Sequence, residues 1–168
     1  MHKDSIKFPD SLKYYTIQKK RIIYGGGGIM PDIFVPYDTT EFPQAYRQMS
    51  RNEVNQFIHY YVDIKRRYFA KKYKEFNYFD KNFSITKELT DSLASRYKKK
   101  NLTKKEKDSI SNNLLNNKHV RNQLKALIAN DLWNEQEYYL ISNRKSDIYL
   151  EALKVINDKR IYNSSLKQ

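Results

Sequence analysis

The four glycines of the chain stand in one run, and glycine runs are common in loops that bind phosphate. Residues 21–36 read RIIYGGGGIMPDIFVP, so that Gly25 to Gly28 lie between a β-branched segment and a proline. A P-loop requires Lys followed by Ser or Thr directly after its last glycine, whereas Ile29 and Met30 follow here. The next segment has the composition of a strand, so no helix N-terminus is expected to hold an anion. The run instead predicts a bulge or a close backbone approach.

Residues for metal binding or acid–base chemistry are few. The chain has no cysteine, which excludes disulfides, thiolate zinc sites and cysteine nucleophiles. Its three histidines include no pair at the spacing of a helical zinc site. His59 and Asp63 stand four residues apart and share one face of a predicted helix, where a solvated or partly packed pair is favoured over a catalytic one. We therefore predict no catalytic residue, no metal site and no cofactor.

A cluster of lysines is the feature that a polyanion would recognise. The formal net charge of the chain is +13, which favours long-range attraction to nucleic acid or to an anionic membrane. The basic patch consists of Lys98, Lys99, Lys100, Lys104 and Lys105. Because a helix start is predicted at Thr103, a solvated turn between two helices is the favoured interpretation. The alternative function is that of a basic helical domain that binds nucleic acid or serves as an interaction domain.

Proline and glycine divide the chain near residue 43. All four prolines and all four glycines lie before Gln44. Beyond that point helices are free to run between capping residues, because neither helix-breaking residue interrupts them. We therefore predict an α+β fold that is mainly α, with a β-hairpin or strand element over residues 1–43 and a multi-helix bundle over residues 44–168.

Short β-branched and aromatic runs predict strands in the first region. The runs are SLKYYTI, RIIY and IMPDIFVP, with Lys19 and Lys20 in a turn between the first two. Pro31 and Pro36 bracket the third run, which is expected to form a short edge strand. Two or three such strands rarely stand alone in water, so either the helices cover them or they belong to a larger sheet. Their exposed edges also make self-association possible.

Capping boxes and apolar periodicity predict the helices. Ser50 with Glu53, and Thr103 with Glu106, are capping boxes that mark two helix starts. Apolar residues then recur at steps of three and four. The first stripe is Val54, Phe57, Ile58, Tyr61, Ile64, Tyr68 and Phe76. Later stripes are Ile85, Leu89, Leu93 and Tyr97, then Ile110 and Leu114, and then Val120, Leu124, Leu127, Ile128, Leu132 and Trp133. Ile148, Ala152 and Val155 mark a last helix, before a frayed polar tail that ends at Gln168.

No membrane span or secretory signal is expected from the printed sequence. No stretch approaches the roughly 18 to 20 apolar residues that a membrane-spanning helix requires. The first ten residues, MHKDSIKFPD, lack the continuous apolar segment of a signal peptide. The expectation for the chain itself is a soluble fragment.

One stretch of the chain resembles a known enzyme family. Residues 12–36, LKYYTIQKKRIIYGGGGIMPDIFVP, resemble the segment that follows the catalytic lysine in the C-terminal processing (tail-specific) serine peptidases. There a strand, a basic turn and a second strand lead into a Gly-Ile-x-Pro-Asp signature. The matching residues are Tyr24, Gly25, Gly26, Gly27, Gly28, Ile29, Pro31 and Asp32. LKALIANDLW, YYLI and IYLEALKVI are similar to a branch of the family with a long helical C-terminal region.

The resemblance implies that the chain is the C-terminal, non-catalytic region of a serine endopeptidase that processes exported proteins. The family uses a serine nucleophile with a lysine general base. Its serine lies in a Gly-Ser-x-Ser-Ala-type motif and its lysine in a Gly-Lys-Gly-type motif. Neither motif occurs in this chain, so the dyad would lie upstream of Met1 and the fragment alone would be inactive. The implied partners are the upstream peptidase core and PDZ module of the same parent chain, together with the protein substrates of the enzyme. The parent is expected in the cell envelope or periplasm.

Overall fold

The protein is mainly helical, with a small antiparallel sheet near its N-terminus. The computed structural model describes residues 9–18, 20–25, 31, 33–36, 40–97 and 101–165. The chain divides into two compact units. Thr39–Ser146 form the helical unit, and Met1–Asp38 together with Asp147–Gln168 form what we call the split unit. The predicted fold class, mainly α with a short N-terminal β element, is confirmed.

A β-hairpin follows a 3-10 turn at Asp10–Leu12 in the split unit. Strand β1, Lys13–Tyr15, pairs antiparallel with strand β2, Ile22–Tyr24, in a register that sets Tyr14 opposite Ile23. Both strands lie inside runs that were predicted from β-branched and aromatic composition. The predicted pairing of these two runs is therefore correct.

Thr16 closes the turn of the hairpin. Its amide donates to the carbonyl oxygen of Arg21 at 2.9 Å, and its hydroxyl accepts from the amide of Arg21 at the same distance. Lys20 has a φ of 51°, in the left-handed region that tight turns use. The turn predicted at Lys20 is confirmed, while Lys19 lies outside the described residues.

The third predicted strand does not form over residues 33–36. This part of the IMPDIFVP run has no strand hydrogen bonds, and Pro36 lacks the amide that a ladder needs. Ile29, Met30 and Asp32 of the same run lie outside the described residues.

The helices were expected to occupy the region after residue 43, and they do. In the helical unit they are α1 Gln44–Gln48, α2 Arg51–Lys72, α3 Phe76–Asn82, α4 Lys87–Ser95, α5 Lys104–Asn116, α6 Lys118–Leu132 and α7 Glu135–Ser142. A 3-10 turn, Asn143–Lys145, follows α7. In the split unit they are α8 Asp147–Asn157 and α9 Lys159–Ser165.

The tail predicted to be frayed carries helix α9. The Asp158 carboxylate accepts from the backbone amides of Arg160 at 2.9 Å and Ile161 at 3.3 Å, which is the geometry of an N-cap. The prediction was wrong because an aspartate cap two residues before Arg160 starts a new helix within a polar sequence. Residues 166–168 lie outside the described part of the chain.

Both predicted capping boxes are present. The Ser50 amide donates to the Glu53 carboxylate at 2.8 Å, while the Glu53 amide donates to the Ser50 hydroxyl at 3.2 Å. Thr103 and Glu106 make the same pair of bonds at 2.8 and 3.3 Å. Each box satisfies backbone donors that the first turn leaves free, and so fixes where α2 and α5 begin.

The buried core lies in the helical unit. Its largest fully buried side chains include Phe57, Phe69, Phe79, Leu89, Leu93, Leu114, Leu124, Ile128 and Ile141. Phe79 stacks on Phe83 with ring centroids 4.7 Å apart and contacts the Trp133 ring at 5.2 Å. No described residue of the split unit belongs to this core.

The first predicted apolar stripe is wrong at Ile64 and Tyr68. Ile64 and Tyr68 are exposed, whereas Phe69 is buried. The stripe fails because Lys65 occupies a position on the core-facing side, lays its stem along the protein and reaches the Glu88 carboxylate at 2.6 Å. Helix α2 also ends at Lys72, so that the predicted member at position 76 belongs to α3.

Candidate interaction surface

The glycine run begins where the hairpin ends. The Gly25 amide donates to the carbonyl oxygen of Leu12 at 2.8 Å, which extends the pairing past Lys13 and Tyr24. A Cβ atom on Gly25 would lie 2.8 Å from Cε2 of Tyr14, so the missing side chain lets that ring lie against the backbone. Of the family-like signature, the structure describes Tyr24, Gly25 and Pro31. The members outside the described residues are Gly26, Gly27, Gly28, Ile29 and Asp32.

The hairpin carries apolar side chains on both of its faces. Consecutive strand residues point to opposite faces, so Ile22 and Ile23 lie on different sides, as do Tyr14 and Tyr15. All four side chains are exposed. A strand that is apolar at successive positions is typical of a sheet that is covered on both faces. The hairpin therefore has the composition of the interior of a larger sheet.

Helix α8 also exposes apolar side chains. Its apolar side chains Ile148, Leu150, Leu153 and Ile156 are all exposed, and no described residue of this helix is buried. Within the split unit, α8 and residues 33–36 line an open groove of about 460 Å³. A helix of this length that is apolar around most of its circumference gains stability by packing against other protein. The split unit is therefore a candidate interaction surface.

The pair predicted from sequence between His59 and Asp63 does not form. The Nδ1 atom of His59 is hydrogen-bonded to Asp131 on α6, and Asp63 instead binds Arg66 at 2.7 Å. Arg66 also reaches Asp131 at 3.4 Å. His59 and Arg66 of α2 reach Asp131 because α6 packs on α2. At this contact the side chain of Asp131 is only 10% exposed. This cluster joins two helices of the core.

We next consider the metal-ligating and titratable side chains of the described residues. Among the described residues, no group of three or more His, Cys, Asp and Glu side chains could hold a metal ion. Burial lowers the pKa of Lys125, which the nearby Asp80 partly offsets. The Nζ atom of Lys125 donates to the backbone carbonyl oxygen of Asp80 at 2.5 Å, and Arg144 binds the side-chain carboxylate of Asp80 at 2.7 Å. Lys125 thus tethers helices α3 and α6.

A cavity of about 650 Å³ lies beside α1, α4 and α5 in the helical unit. Its polar wall is occupied by contacts within the protein. The Tyr97 hydroxyl donates to the Gln48 side chain, and the Arg96 guanidinium lies over the rings of Tyr60 at 4.5 Å and Phe57 at 5.3 Å. These contacts hold helices of the protein together, and they do not indicate a particular reaction.

The basic patch is described in part. Lys104 and Lys105 are exposed in the first turn of α5, while Lys98, Lys99 and Lys100 lie outside the described residues. Positive charges near a helix N-terminus oppose the helix dipole, which the Glu106 carboxylate offsets here. Lys104 and Lys105 therefore lie at the solvated helix start that the sequence predicts.

A surface that sequence reasoning missed lies on the outer side of α2. Tyr60, Ile64 and Tyr68 recur every four residues and are all exposed. We call these three residues, with Arg67 and Lys71, the α2 outer stripe. The spacing was visible in the sequence, but Ile64 and Tyr68 were assigned to the core stripe, and Tyr60 was not assigned.

Comparison with known families gives one match. The family described as "Family of unknown function (DUF8443)" matches residues 45–134, more than half of the 168 residues. The chain belongs to DUF8443. The matched region begins in α1, ends just after α6 and lies within the helical unit. No curated protein and no solved structure matches the DUF8443 chain.

The described helices were also compared with the requirements of a bilayer. None of them combines the length and the apolar character that crossing a membrane would need.

Proposed function

We propose that this DUF8443 chain is the non-catalytic C-terminal region of a serine endopeptidase that processes exported proteins. In this proposal the hairpin completes a sheet of the catalytic core, and the helical unit is a folded module of the same parent enzyme. The serine and lysine that perform proteolysis belong to the upstream part of the parent, which acts in the cell envelope.

One observation carries the proposal: the hairpin exposes apolar residues on both faces. A two-stranded hairpin is marginally stable in water and needs further strands or a covering layer. Ile22 and Ile23, on opposite faces of β2, both require such a cover. A peptidase core that continued the sheet and packed on it would supply both. Residues 12–36 also resemble the segment that follows the catalytic lysine in the C-terminal processing peptidases, which is consistent with a core of this kind.

The side chains of the helical unit support a non-catalytic role. A serine–lysine dyad needs a lysine that burial keeps neutral and a serine hydroxyl within hydrogen-bond reach of it. Lys125 has a pKa lowered by burial, but its Nζ contacts Asp80. The buried hydroxyl of Ser111 is bonded to Thr90 at 2.8 Å. These groups hold helices together, and we expect the chain alone to cleave no polypeptide.

Hydrogen exchange compares the chain in its two settings. The native polypeptide is isolated from the source cells with an antibody against the helical unit, and its exchange is measured beside that of the isolated chain. We expect peptides covering β1 and β2 to exchange at least about tenfold more slowly in the native polypeptide, because neighbouring protein covers them. Peptides from α6 serve as the internal control and should match. Equal exchange of the hairpin in both samples would contradict the proposal.

A further inference from the structure

Helix α2 is apolar on two sides, and only one of them is buried. Ile58, Val62 and Phe69 face the core. On the outer side Tyr60 is 54% exposed, Ile64 63% and Tyr68 47%. Residues four apart lie one above the other, so these side chains form a row of about 12 Å along the helix. The row offers an apolar contact surface that the helical unit does not use.

Cations hold the tyrosine rings of the stripe in place. The Arg96 guanidinium lies 4.5 Å from the centroid of the Tyr60 ring. The Nζ atom of Lys72 donates to the Tyr68 hydroxyl at 3.0 Å and lies 5.3 Å from the centroid of that ring. Such cation–π contacts restrain rings that would otherwise sample several rotamers. The stripe is therefore preorganised for binding.

The charge around the row is positive. Arg67 and Lys71 are exposed on the same side of α2, and within the described part of the chain neither binds a carboxylate. The nearby carboxylates are already engaged, because Asp63 binds Arg66 and Glu88 binds Lys65. A partner that brought carboxylates to Arg67 and Lys71 would complement this charge.

The same geometry decides between classes of partner. Nucleic acid binds tyrosines by stacking bases on open ring faces, but the Arg96 guanidinium lies over the ring of Tyr60. Ile64, at the centre of the row, offers a base no ring at all. A second copy of the chain would bring the same cations and a net charge of +13, so the two faces would repel. An apolar segment that also carries carboxylates meets both requirements.

We propose that the α2 outer stripe docks an acidic amphipathic helix of a partner protein. Apolar side chains of that helix, spaced three or four residues apart, pack on Tyr60, Ile64 and Tyr68. Its carboxylates pair with Arg67 and Lys71. An interface the size of a single helix face is typical of weak, transient complexes. The inference is independent of the proposed peptidase role, because it uses only residues of the helical unit.

A synthetic peptide tests the surface directly. The probe is a fluorescein-labelled helical peptide with Leu at positions i, i+4 and i+7 and Glu on the flanking positions. Its binding to the full chain is measured by fluorescence anisotropy, and versions with Gln for Glu or Ser for Leu are measured beside it. We expect binding to weaken by about tenfold or more for either altered peptide.

Variants of the chain separate docking from general attraction. Ile64→Ser should weaken binding by about tenfold, and so should Arg67→Glu combined with Lys71→Glu. Lys104→Glu combined with Lys105→Glu removes the same charge from α5 and should leave binding unchanged. Because all these side chains are exposed, circular dichroism should show unaltered helix content.

Three results would overturn the inference. The first is equal binding by the wild-type chain and the Ile64→Ser variant. The second is an equal loss of binding for the charge change on α5 and the charge change on α2, which would indicate unspecific attraction. The third is tight binding of a 20-nucleotide single-stranded DNA that depends on Tyr60 and Tyr68, without binding of the acidic peptide.

Discussion

Asp131 on α6 is hydrogen-bonded to His59 on α2, 72 residues earlier in the chain. Arg66 of α2 contacts the same carboxylate at 3.4 Å. The carboxylate is nearly buried, while its two partners reach it from the exposed side of α2. The contacts of Asp131 with His59 and Arg66, which we call the Asp131 cluster, thus reinforce the apolar packing of two helices that are far apart in sequence.

The Asp131 cluster predicts a measurable loss of stability for Asp131→Ala. The substitution removes two charge-assisted contacts at once, and we expect the free energy of unfolding to fall by about 1–2 kcal/mol. Asp63→Ala, which removes only the exposed contact to Arg66 on the same helix, is the matched control and should cost less than about 0.5 kcal/mol. Urea denaturation followed by circular dichroism measures both. Equal losses would show that the contact between helices adds nothing.

The aromatic cluster around Phe79 predicts a larger effect. Phe79 is fully buried between Phe83 and Trp133, so Phe79→Ala should lower the free energy of unfolding by about 3–5 kcal/mol. The neighbouring Tyr78 is 52% exposed, and Tyr78→Ala should cost less than about 1 kcal/mol. Fluorescence of Trp133, the single tryptophan, reports both transitions. Similar stability of the two variants would contradict the described core.

The separation of the two units predicts that the helical unit folds by itself. All residues of the buried core lie between Val54 and Ile141, inside Thr39–Ser146. A fragment of residues 39–146 should therefore unfold cooperatively, with a free energy within about 1 kcal/mol of the full chain. Differential scanning calorimetry of both proteins makes the comparison. A broad transition without a heat-absorption peak in the fragment would rule this division out.

Alkaline pH should destabilise the helical unit through Tyr46. Burial raises the pKa of its phenol, and the nearby Tyr138 adds to the effect. Above about pH 10 the unfolded chain releases the phenolic proton while the folded chain keeps it. The free energy of unfolding should therefore fall with rising pH, by up to about 1.4 kcal/mol per pH unit from this group.

Tyr46→Phe removes that contribution. Urea titrations between about pH 9 and about pH 11 should give a shallower decline for this variant than for the wild-type chain. The assignment to Tyr46 would be wrong if its variant kept the wild-type slope.

Local signals made much of the fold predictable. A capping box needs only Ser50 and Glu53, three residues apart, and the structure has the box where the spacing predicts it. The hairpin was equally local, because β-branched and aromatic runs flank its basic turn. Both features depend on contacts within a few residues of each other, which a single sequence contains.

The remaining features depend on contacts across the fold. The position of Lys65 on the core side of α2 became clear only through its bond to Glu88 on α4. Asp131 could not be assigned to His59 from sequence, because the two residues meet only when α6 packs on α2. Ile64 and Tyr68 of the outer stripe were mistaken for core for the same reason: periodicity marks an apolar face, but it does not say which face another helix covers.

The central claim is that this chain is the C-terminal region of a serine endopeptidase. Mass spectrometry of the native polypeptide, captured from source cells with an antibody against the helical unit, tests it most directly. The account predicts peptides that precede Met1 and contain a Gly-Ser-x-Ser-Ala-type motif followed by a Gly-Lys-Gly-type motif. A native polypeptide that begins at Met1, or an upstream sequence without these motifs, would contradict the account.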